Sequence, residues 1–319
     1  MAKARRHSAG EKTPLEGDLF GPPLVAAPLP RTIQRVVDSA ADILQDPPEK
    51  TDFLHAVLCQ VGMPRRQTSE RSFERQSGSA MLRIEAGVLY NGRKFVDQPL
   101  PYGAKPRLIM VHIGTEAVRT KSREIEIGHS AHDFMQTLGF DTNSRSYNMV
   151  KKQIMALAAC RMTLGVANGQ RARTINTQPI EQFDAWLHQT GQQRSLWPGH
   201  IVLSEGFFNT MTEFAVPLDH RALYAIKHSA LALDIYSWLA HRLCRVNKPN
   251  GVMVSWGNLK EQFGQEYSSS RDFKKEFRQA LLQVRAVYPD ARVEDAIGGF
   301  SLKSSPPPIR KAQVLVRQR

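Results

Sequence analysis

The order of periodic segments in residues 101–161 constrains the fold more than any other feature of the sequence. Apolar residues at helical spacing in 105–119 predict a helix, alternation around Ile125 predicts a short strand, and two further helices are predicted from Ser130 and from Ser144. The acidic residue three positions after Ser130 completes the spacing of a helix-capping box. A helix, a strand, a helix, a turn and another helix, in this order, form the core of a winged helix.

The last helix of this stretch, at about 144–160, has an apolar face and a cationic face. The face that we expect to be buried carries Val150, Ile154, Leu157 and Ala158. The opposite face carries Arg145, Asn148, Lys151 and Lys152. Alternating polar and apolar residues then surround a turn at 167–169 and include Arg171 and Arg173. In this context the hairpin is the predicted wing.

The second half of the chain repeats this order of elements. It has a long helix at 229–246, a short strand, a short helix, a long helix from about 270, and two strands about Gly298-Gly299. The long helix is predicted to bury Phe273, Phe277, Leu281 and Val284 and to expose Arg271, Lys274, Lys275 and Arg278. The halves share no direct sequence identity, so the pattern is a repeated architecture rather than a sequence repeat.

The predicted fold is therefore α+β, with two tandem winged-helix domains and a partly disordered N-terminal arm. We expect an arm with short helices (1–78), a first domain (79–199), a second domain (200–303) and a basic flexible tail (304–319). Smaller segments have their own predictions: disorder in 1–30, helices at 31–44 and 51–61, a polar segment after 62, a hairpin about Asn91-Gly92, a linker at 191–199 and a short strand at 312–316.

Composition indicates a soluble, intracellular protein. Hydrophobic residues make up 41% and charged residues 23% of the chain, and no run approaches the roughly 18 apolar residues of a membrane span. The N-terminus leads into no apolar segment of the secretory type. Cys59, Cys160 and Cys244 form no CxxC motif, and their apolar surroundings predict buried, reduced thiols.

The net charge of +13 favours a polyanionic partner. The excess is concentrated in residues 101–200 and 301–319, and neither terminus has the basic amphipathic helix of a membrane-surface protein. Double-stranded DNA suits the basic helices, because arginine pairs with guanine, asparagine with adenine, and lysine with guanine or phosphate. The alternative for each basic helix is an ordinary solvated face.

Complete catalytic motifs are missing from the sequence. There is no GxxxxGK[ST] or GxGxxG loop, and His129 and His132 beside Asp133 have no third ligand cluster. Tyr147 and Lys151 match the YxxxK pattern of rolling-circle nicking enzymes, but no HxH metal motif accompanies them. We therefore predict a protein that is not an enzyme and has no cofactor, metal or catalytic residue.

Several ordered motifs resemble the plasmid-encoded RepA replication initiators: PYGAKPRLIMVHIGTEAVRTKSREIEIGHSAHDFMQTLGF, ALALDIYSWLAHRL, VSWGNLKEQFG, DFKKEFRQAL and VYPDA. The resemblance runs from about residue 82 to residue 308. It implies a theta-type initiator that binds repeated origin sequences (iterons), helps to open the origin, controls copy number and recruits host replication proteins such as the initiator and helicase. In that class, dimers often repress their own promoter while monomers bind the iterons, so a homodimer is one expected form.

Three alternatives remain open from the sequence. A plain winged-helix transcriptional repressor would use the same two domains. A rolling-circle nicking enzyme would use Tyr147 as its nucleophile. An RNA-binding module is less well supported, because no aromatic strand of the RNP type occurs.

Overall fold

The computed structural model of the protein describes residues 31–127, 130–183 and 200–310. The predictions for the arm at 1–30, the linker at 191–199, the strand at 312–316 and His129 lie outside these residues. The elements up to residue 97 are α1 (Arg31–Gln45), β1 (Thr51–His55), α2 (Ala56–Gln60), β2 (Ser72–Ser77), β3 (Ala80–Glu85), β4 (Val88–Tyr90) and β5 (Phe95–Asp97). The prediction of a mixed α+β fold is confirmed.

The middle of the chain has the predicted order of elements, except that its last strand, at Ile180–Phe183, was not predicted. The elements are α3 (Ala104–Thr120), β6 (Glu124–Glu126), α4 (Ala131–Thr137), α5 (Ser144–Ala159), β7 (Arg161–Asn168), β8 (Arg171–Thr177) and β9 (Ile180–Phe183). Ser130 caps α4 as the sequence indicated, since its side chain accepts a hydrogen bond from the Asp133 amide. The β7–β8 turn lies at residues 169–170, and Gly169 has a φ of 60° that favours glycine.

The second half also contains the predicted sequence of helices and strands. Its elements are β10 (His200–Leu203), α6 (Glu205–Glu213), β11 (Ala215–Asp219), α7 (His220–Ile226), α8 (Ala230–Arg242), a 3-10 turn (Leu243–Arg245), β12 (Val252–Ser255), α9 (Trp256–Phe263), α10 (Ser270–Val287), β13 (Val293–Ala296) and β14 (Gly299–Leu302). Sequence patterns did not predict β11 and α7. No helix of the described residues is both long and apolar enough to cross a membrane.

Strand pairing differs between the two halves. In the second half, β12 pairs with the hairpin that follows α10, and the sheet order is β12-β14-β13. In the first half, the β7–β8 hairpin joins a four-stranded sheet of order β2-β3-β7-β8, whereas β6 pairs with β10 in the sheet β6-β10-β9. Two smaller sheets are formed by β1 with β11 and by β4 with β5.

The predicted helix at 51–61 is wrong over its first half. Residues Thr51–His55 form a strand that pairs with β11 in antiparallel register, and the helix begins only at Ala56. The strand alternates buried and half-buried side chains at first, but its last two residues are both buried. Long-range pairing with β11 therefore overrides the local helical period.

The polar segment after residue 62 contains β2, a strand that the sequence patterns did not predict. This edge strand is polar because half of its side chains are exposed, and only Arg75 is fully buried. The hairpin about Asn91-Gly92 is confirmed, but its loop is longer than two residues, since Tyr90 pairs with Phe95.

Cys59 and Cys160 are buried free thiols, whereas Cys244 is exposed because the 3-10 turn places it on the solvent side.

One contiguous set of buried side chains runs through both halves of the described chain, from Val36 to Leu302. Helices α3 and α8 are buried on nearly every face. Gly114 allows α3 to approach its neighbours, because a Cβ there would lie 2.8 Å from both the Phe53 carbonyl oxygen and Met211 Cε. The division into domains at residue 199 stays a prediction.

Candidate nucleic-acid interface

Helix α5 begins at a side-chain cap and separates its faces as the sequence predicted. The Asn143 side chain accepts a hydrogen bond of 2.8 Å from the Ser146 amide, which fixes the first turn. Val150, Ile154, Leu157 and Ala158 are all buried. Arg145 and Asn148 are exposed, while Lys151 and Lys152 are half-buried. The first turns of α5 therefore present their polar groups to solvent.

Lys152 is held in place by two residues that the sequence did not single out. Its Nζ lies 3.4 Å from Gln67 Oε1 and 5.6 Å from the centre of the Tyr102 ring. The Tyr102 hydroxyl donates a 3.0 Å hydrogen bond to the same Gln67 oxygen. These contacts restrict the lysine side chain, which lowers the entropy cost of ordering it against a ligand.

The β7–β8 hairpin carries Arg171 and Arg173 on its second strand, and both side chains are exposed. Arg173 Cζ lies 5.7 Å from the centre of the Phe214 ring at the end of α6. Guanidinium groups stack favourably on aromatic faces at this distance. Arg173 is thus oriented by a neighbouring element, and Phe214 is a supporting residue that sequence patterns missed.

Helix α10 has the face predicted for it, apart from one lysine. Phe273, Phe277, Leu281 and Val284 are buried, and Arg271, Lys275 and Arg278 are exposed. Lys274 is half-buried instead of exposed, because its Nζ lies 5.5 Å from the Trp256 ring centre. Arg278 Cζ lies 4.9 Å from the same ring.

Trp256 is therefore the support for the cationic face of α10. The indole also packs edge-on against Phe277 and Phe300, with ring centres 5.8 Å and 5.1 Å apart. This packing fixes the position of the indole ring in the core of the second half. Its other contacts then fix two cations on the surface.

Within the described part of the chain, the predicted basic residues form no ion pairs. Among the described residues, no carboxylate oxygen lies within 4.0 Å of any basic group in α5, in β8 or on the outer face of α10 that the sequence singled out. Other surface arginines differ, since Arg83, Arg119 and Arg123 each form an ion pair. The positive charge of the two helices is therefore available to an external anion.

Residues with catalytic or metal-binding potential are not brought together into a recognisable centre in the described chain. Tyr147 is half-buried and packs against the core, and His132 Nδ1 lies 3.8 Å from Asp133 Oδ1 on the surface. Glu124 and Glu126 are exposed on β6. Within the described residues, no cluster of three or more His, Cys, Asp or Glu side chains is arranged to hold a metal ion.

A buried ionic cluster connects the two halves of the chain, and it was not predicted. We call it the junction cluster; its members are Arg65, Arg75, Arg107, Asp234 and Glu266. Arg107 of α3 binds both oxygens of Asp234 in α8. Arg75 Nη2 lies 3.0 Å from Glu266 Oε1, and Arg65 contacts both acids. The cluster thereby links residues 62–75, α3, α8 and the α9–α10 loop.

Two members of the junction cluster, Arg75 and Glu266, have shifted pKa values. Burial lowers the pKa of Arg75 to about 10, although Glu266 acts in the opposite direction. Burial acts to raise the pKa of Glu266, but Arg75 and Arg65 outweigh it, so the pKa lies below its ordinary value. Glu266 is therefore held in its charged form.

Comparison with known proteins relates the chain to one family. A family model described as "Plasmid encoded RepA protein" matches residues 100–258, from just before α3 into α9. No curated protein sequence matches the chain. Solved structures of RctB show a distant likeness to the chain. A crystal structure of RctB domains 2-3 (RctB-155-483) matches with a TM-score of 0.48 and 9% sequence identity, and the match covers 82% of this chain and 99% of the RctB chain.

A second structure, of selenomethionine derivatives of domains 2 and 3 of RctB, has a TM-score of 0.46 and 10% identity, and covers 75% of this chain and 88% of the other. At these scores neither likeness fixes the fold or the function of this chain. The family match stands on its own, and its span includes α5, β7, β8 and α8. Across residues 100–258 the chain belongs to the family of plasmid-encoded RepA proteins, as its sequence motifs indicated.

Proposed function

We propose that this protein initiates plasmid replication by binding repeated sequences in the duplex DNA of its origin. The observation that carries the proposal is the pair of long helices α5 and α10, each with a cationic outer face that has no carboxylate partner among the described residues. Each of these helices follows a helix, a strand and a helix, and each precedes a hairpin. In a chain of the RepA family, this repeated arrangement supports DNA binding by both halves.

We further propose that the two halves act as tandem winged-helix domains, at 79–199 and 200–303. Winged helices place their third helix in the major groove, where its first turns reach the base edges. The sheet order β12-β14-β13 supports this assignment for the second half, because the early strand pairs with the hairpin. The first half departs from that pairing, since β6 lies beside β10, and its assignment depends on the order of elements alone.

Roles follow from the chemistry of the side chains. Arg145, Asn148, Lys151 and Lys152 would contact one half of a repeat, and Arg271, Lys274, Lys275 and Arg278 the other. Arginine and asparagine can each form two hydrogen bonds to a base edge, and lysine can meet guanine or phosphate. Arg171 and Arg173 on the β7–β8 hairpin would contact the flanking DNA backbone.

In this proposal the protein is not an enzyme; it acts through DNA binding, origin opening and recruitment of host replication proteins. Autoregulation of its own gene, a homodimeric form, copy-number control and association with plasmid DNA in the bacterial cytoplasm belong to the same proposal. They are supported by the family resemblance rather than by a particular contact in the molecule.

The experiment that tests the proposal supplies the protein in trans to a plasmid that carries only the cognate origin. We expect the plasmid to replicate and to be lost when the gene is absent. A plain transcriptional repressor cannot sustain replication, so failure of the plasmid to establish would favour that alternative. Competition for the protein between duplex DNA and single-stranded RNA tests the RNA-binding alternative. That alternative requires the RNA to displace the duplex DNA from the protein.

A further inference from the structure

Three cationic side chains from distant parts of the chain converge around two aromatic rings. Arg35 Cζ of α1 lies 5.7 Å from the centre of the Tyr224 ring, and Lys227 Nζ lies 3.8 Å from the same centre. Lys105 Nζ of α3 lies 4.8 Å from the centre of the Phe140 ring. Lys227 also donates a hydrogen bond to the carbonyl of Gly139, which is adjacent to Phe140. We call Arg35, Lys105 and Lys227 the cationic triad.

The three positive charges of the triad are not balanced by the described carboxylates around them. Asp141 is the carboxylate whose charge acts on both lysines, yet among the described residues no carboxylate oxygen lies within 4.0 Å of any triad member. Arg35 Nη1 is buried and has no hydrogen-bond acceptor among those residues. A buried donor of a charged group that lacks an acceptor is costly, so it indicates a missing partner.

Burial of the two lysines makes their positive charge unfavourable in the absence of an anion. Lys227 is only 5% exposed, and burial, with Arg35 as the next cause, lowers the pKa of Lys227 to about 8. Burial also lowers the pKa of Lys105, with Lys227 acting in the same direction and Asp141 against it. An anion between these groups would offset their mutual repulsion.

A purely structural role accounts for only part of this arrangement. The Gly139 carbonyl and the Tyr224 ring are sufficient partners for Lys227. The negative end of the α4 helix dipole also stabilises a cation at this position. They do not provide an acceptor for Arg35 Nη1, and they leave the charges of Arg35 and Lys105 without an ion pair. Tyr224 is 42% exposed, so the triad can be reached from solvent.

We propose that the cationic triad binds a phosphate group. The triad lies beside the segment that leads into α5, since only Thr142 separates Phe140 and Asp141 from the Asn143 cap of that helix. A DNA backbone phosphate is one source of the group, and this source depends on the function proposed above; a free phosphate ion is the other. Arginine and lysine are both established phosphate ligands, and the arginine can bind two oxygens at once.

The test uses the full chain and inorganic phosphate as the probe. The Tm of the wild-type protein is measured in sodium phosphate and in sodium chloride at matched ionic strength and pH 7. We expect a higher Tm in phosphate, because a ligand that binds only the folded state stabilises it. Arg35→Met and Lys105→Met, which lie on different helices, should each lose most of the shift.

Lys248→Met is the matched control, because it removes one charge from an exposed loop and should keep the full shift. Circular dichroism verifies that each variant is folded. A wild-type Tm that is equal in phosphate and chloride, or a shift that survives both substitutions, would overturn the inference.

A second arm distinguishes the source of the phosphate and separates the inference from the proposed function. If the group belongs to DNA, Lys105→Met should reduce the slope of log affinity against log salt on origin duplex by about 0.9. If that slope is unchanged while the phosphate shift is lost, the ligand is free phosphate. A wild-type protein that shows the phosphate shift but no origin binding would refute the proposed function and leave the triad assignment standing.

Discussion

Arg107 and Asp234 form a bidentate ion pair that joins helix α3 of the first half to helix α8 of the second half. The Nε to Oδ1 distance is 2.6 Å and the Nη2 to Oδ2 distance is 2.8 Å, and both side chains are almost fully buried. Arg107 also donates to the carbonyls of Pro64 and Gly103. The contact between the two halves therefore depends on a charge pair in addition to apolar packing.

Replacing Asp234 by alanine should destabilise the protein by about 3–5 kcal/mol, because Arg107 would remain buried without its counter-charge. Equilibrium urea unfolding measures the change. Glu74→Gln provides the control, since its ion pair with Arg83 is exposed and is worth at most about 1 kcal/mol. Equal effects of the two substitutions would contradict the role given to the buried pair.

Gly62→Ala should also weaken the junction between the halves. A Cβ at this position would lie 2.4 Å from Asp234 Oδ2, so the carboxylate would have to move away from Arg107. We expect a loss of about 2–3 kcal/mol in urea unfolding, within the range for overpacking. Gly206→Ala meets no atom within 4 Å and should have little effect. A Gly62→Ala variant as stable as the wild type would show that Asp234 has room to shift.

Glu266 should make stability depend on pH in the acid range. Its folded-state pKa is below the ordinary value of 4.5, so its contribution is fully present above that pH and is lost as pH falls through the folded value. The stability difference between wild type and Glu266→Gln should therefore be largest near neutral pH and shrink below about pH 4.5. Urea unfolding from pH 7 to pH 3 measures it. A difference that stays constant, or grows, over this range would contradict the ionic contacts with Arg65 and Arg75.

Tyr147→Phe should leave replication of an origin plasmid unchanged. The tyrosine is half-buried on α5 and packs against the core, so its ring contributes contacts that phenylalanine preserves. Plasmid copy number in cells that express the variant is the measurement. Loss of replication, together with a covalent adduct between the wild-type protein and DNA, would favour the rolling-circle nicking enzyme.

Local signals predicted most of the helices, though not α7 or the true start of α2, because the causes of those helices lie close together in the sequence. The apolar spacing of Phe273, Phe277, Leu281 and Val284 defines the buried side of α10 without knowledge of its neighbours. Ser130 indicated the start of α4 in the same way. These features depend on residues within a few positions of one another.

Features that depend on distant partners were missed. β1 is a strand because it pairs with β11, more than 150 residues later, and β2 is polar because it lies at the edge of its sheet. The buried position of Arg75 becomes understandable only from its contact with Glu266. The supports of the candidate interface were missed for the same reason, since Gln67 lies 85 positions from Lys152, and Trp256 lies on a different helix from Lys274 and Arg278.

The salt dependence of binding to origin DNA tests the central claim most directly. Fluorescence anisotropy on duplexes from the DNA that flanks the coding gene gives the affinity at each salt concentration. If about six of the basic side chains neutralise phosphates, log affinity should fall with log salt at a slope of about −5. Lys152→Ala and Lys275→Ala should each weaken binding and make that slope shallower, whereas Lys248→Ala should not. A slope near zero on origin duplex, with no effect of either substitution, would contradict the account.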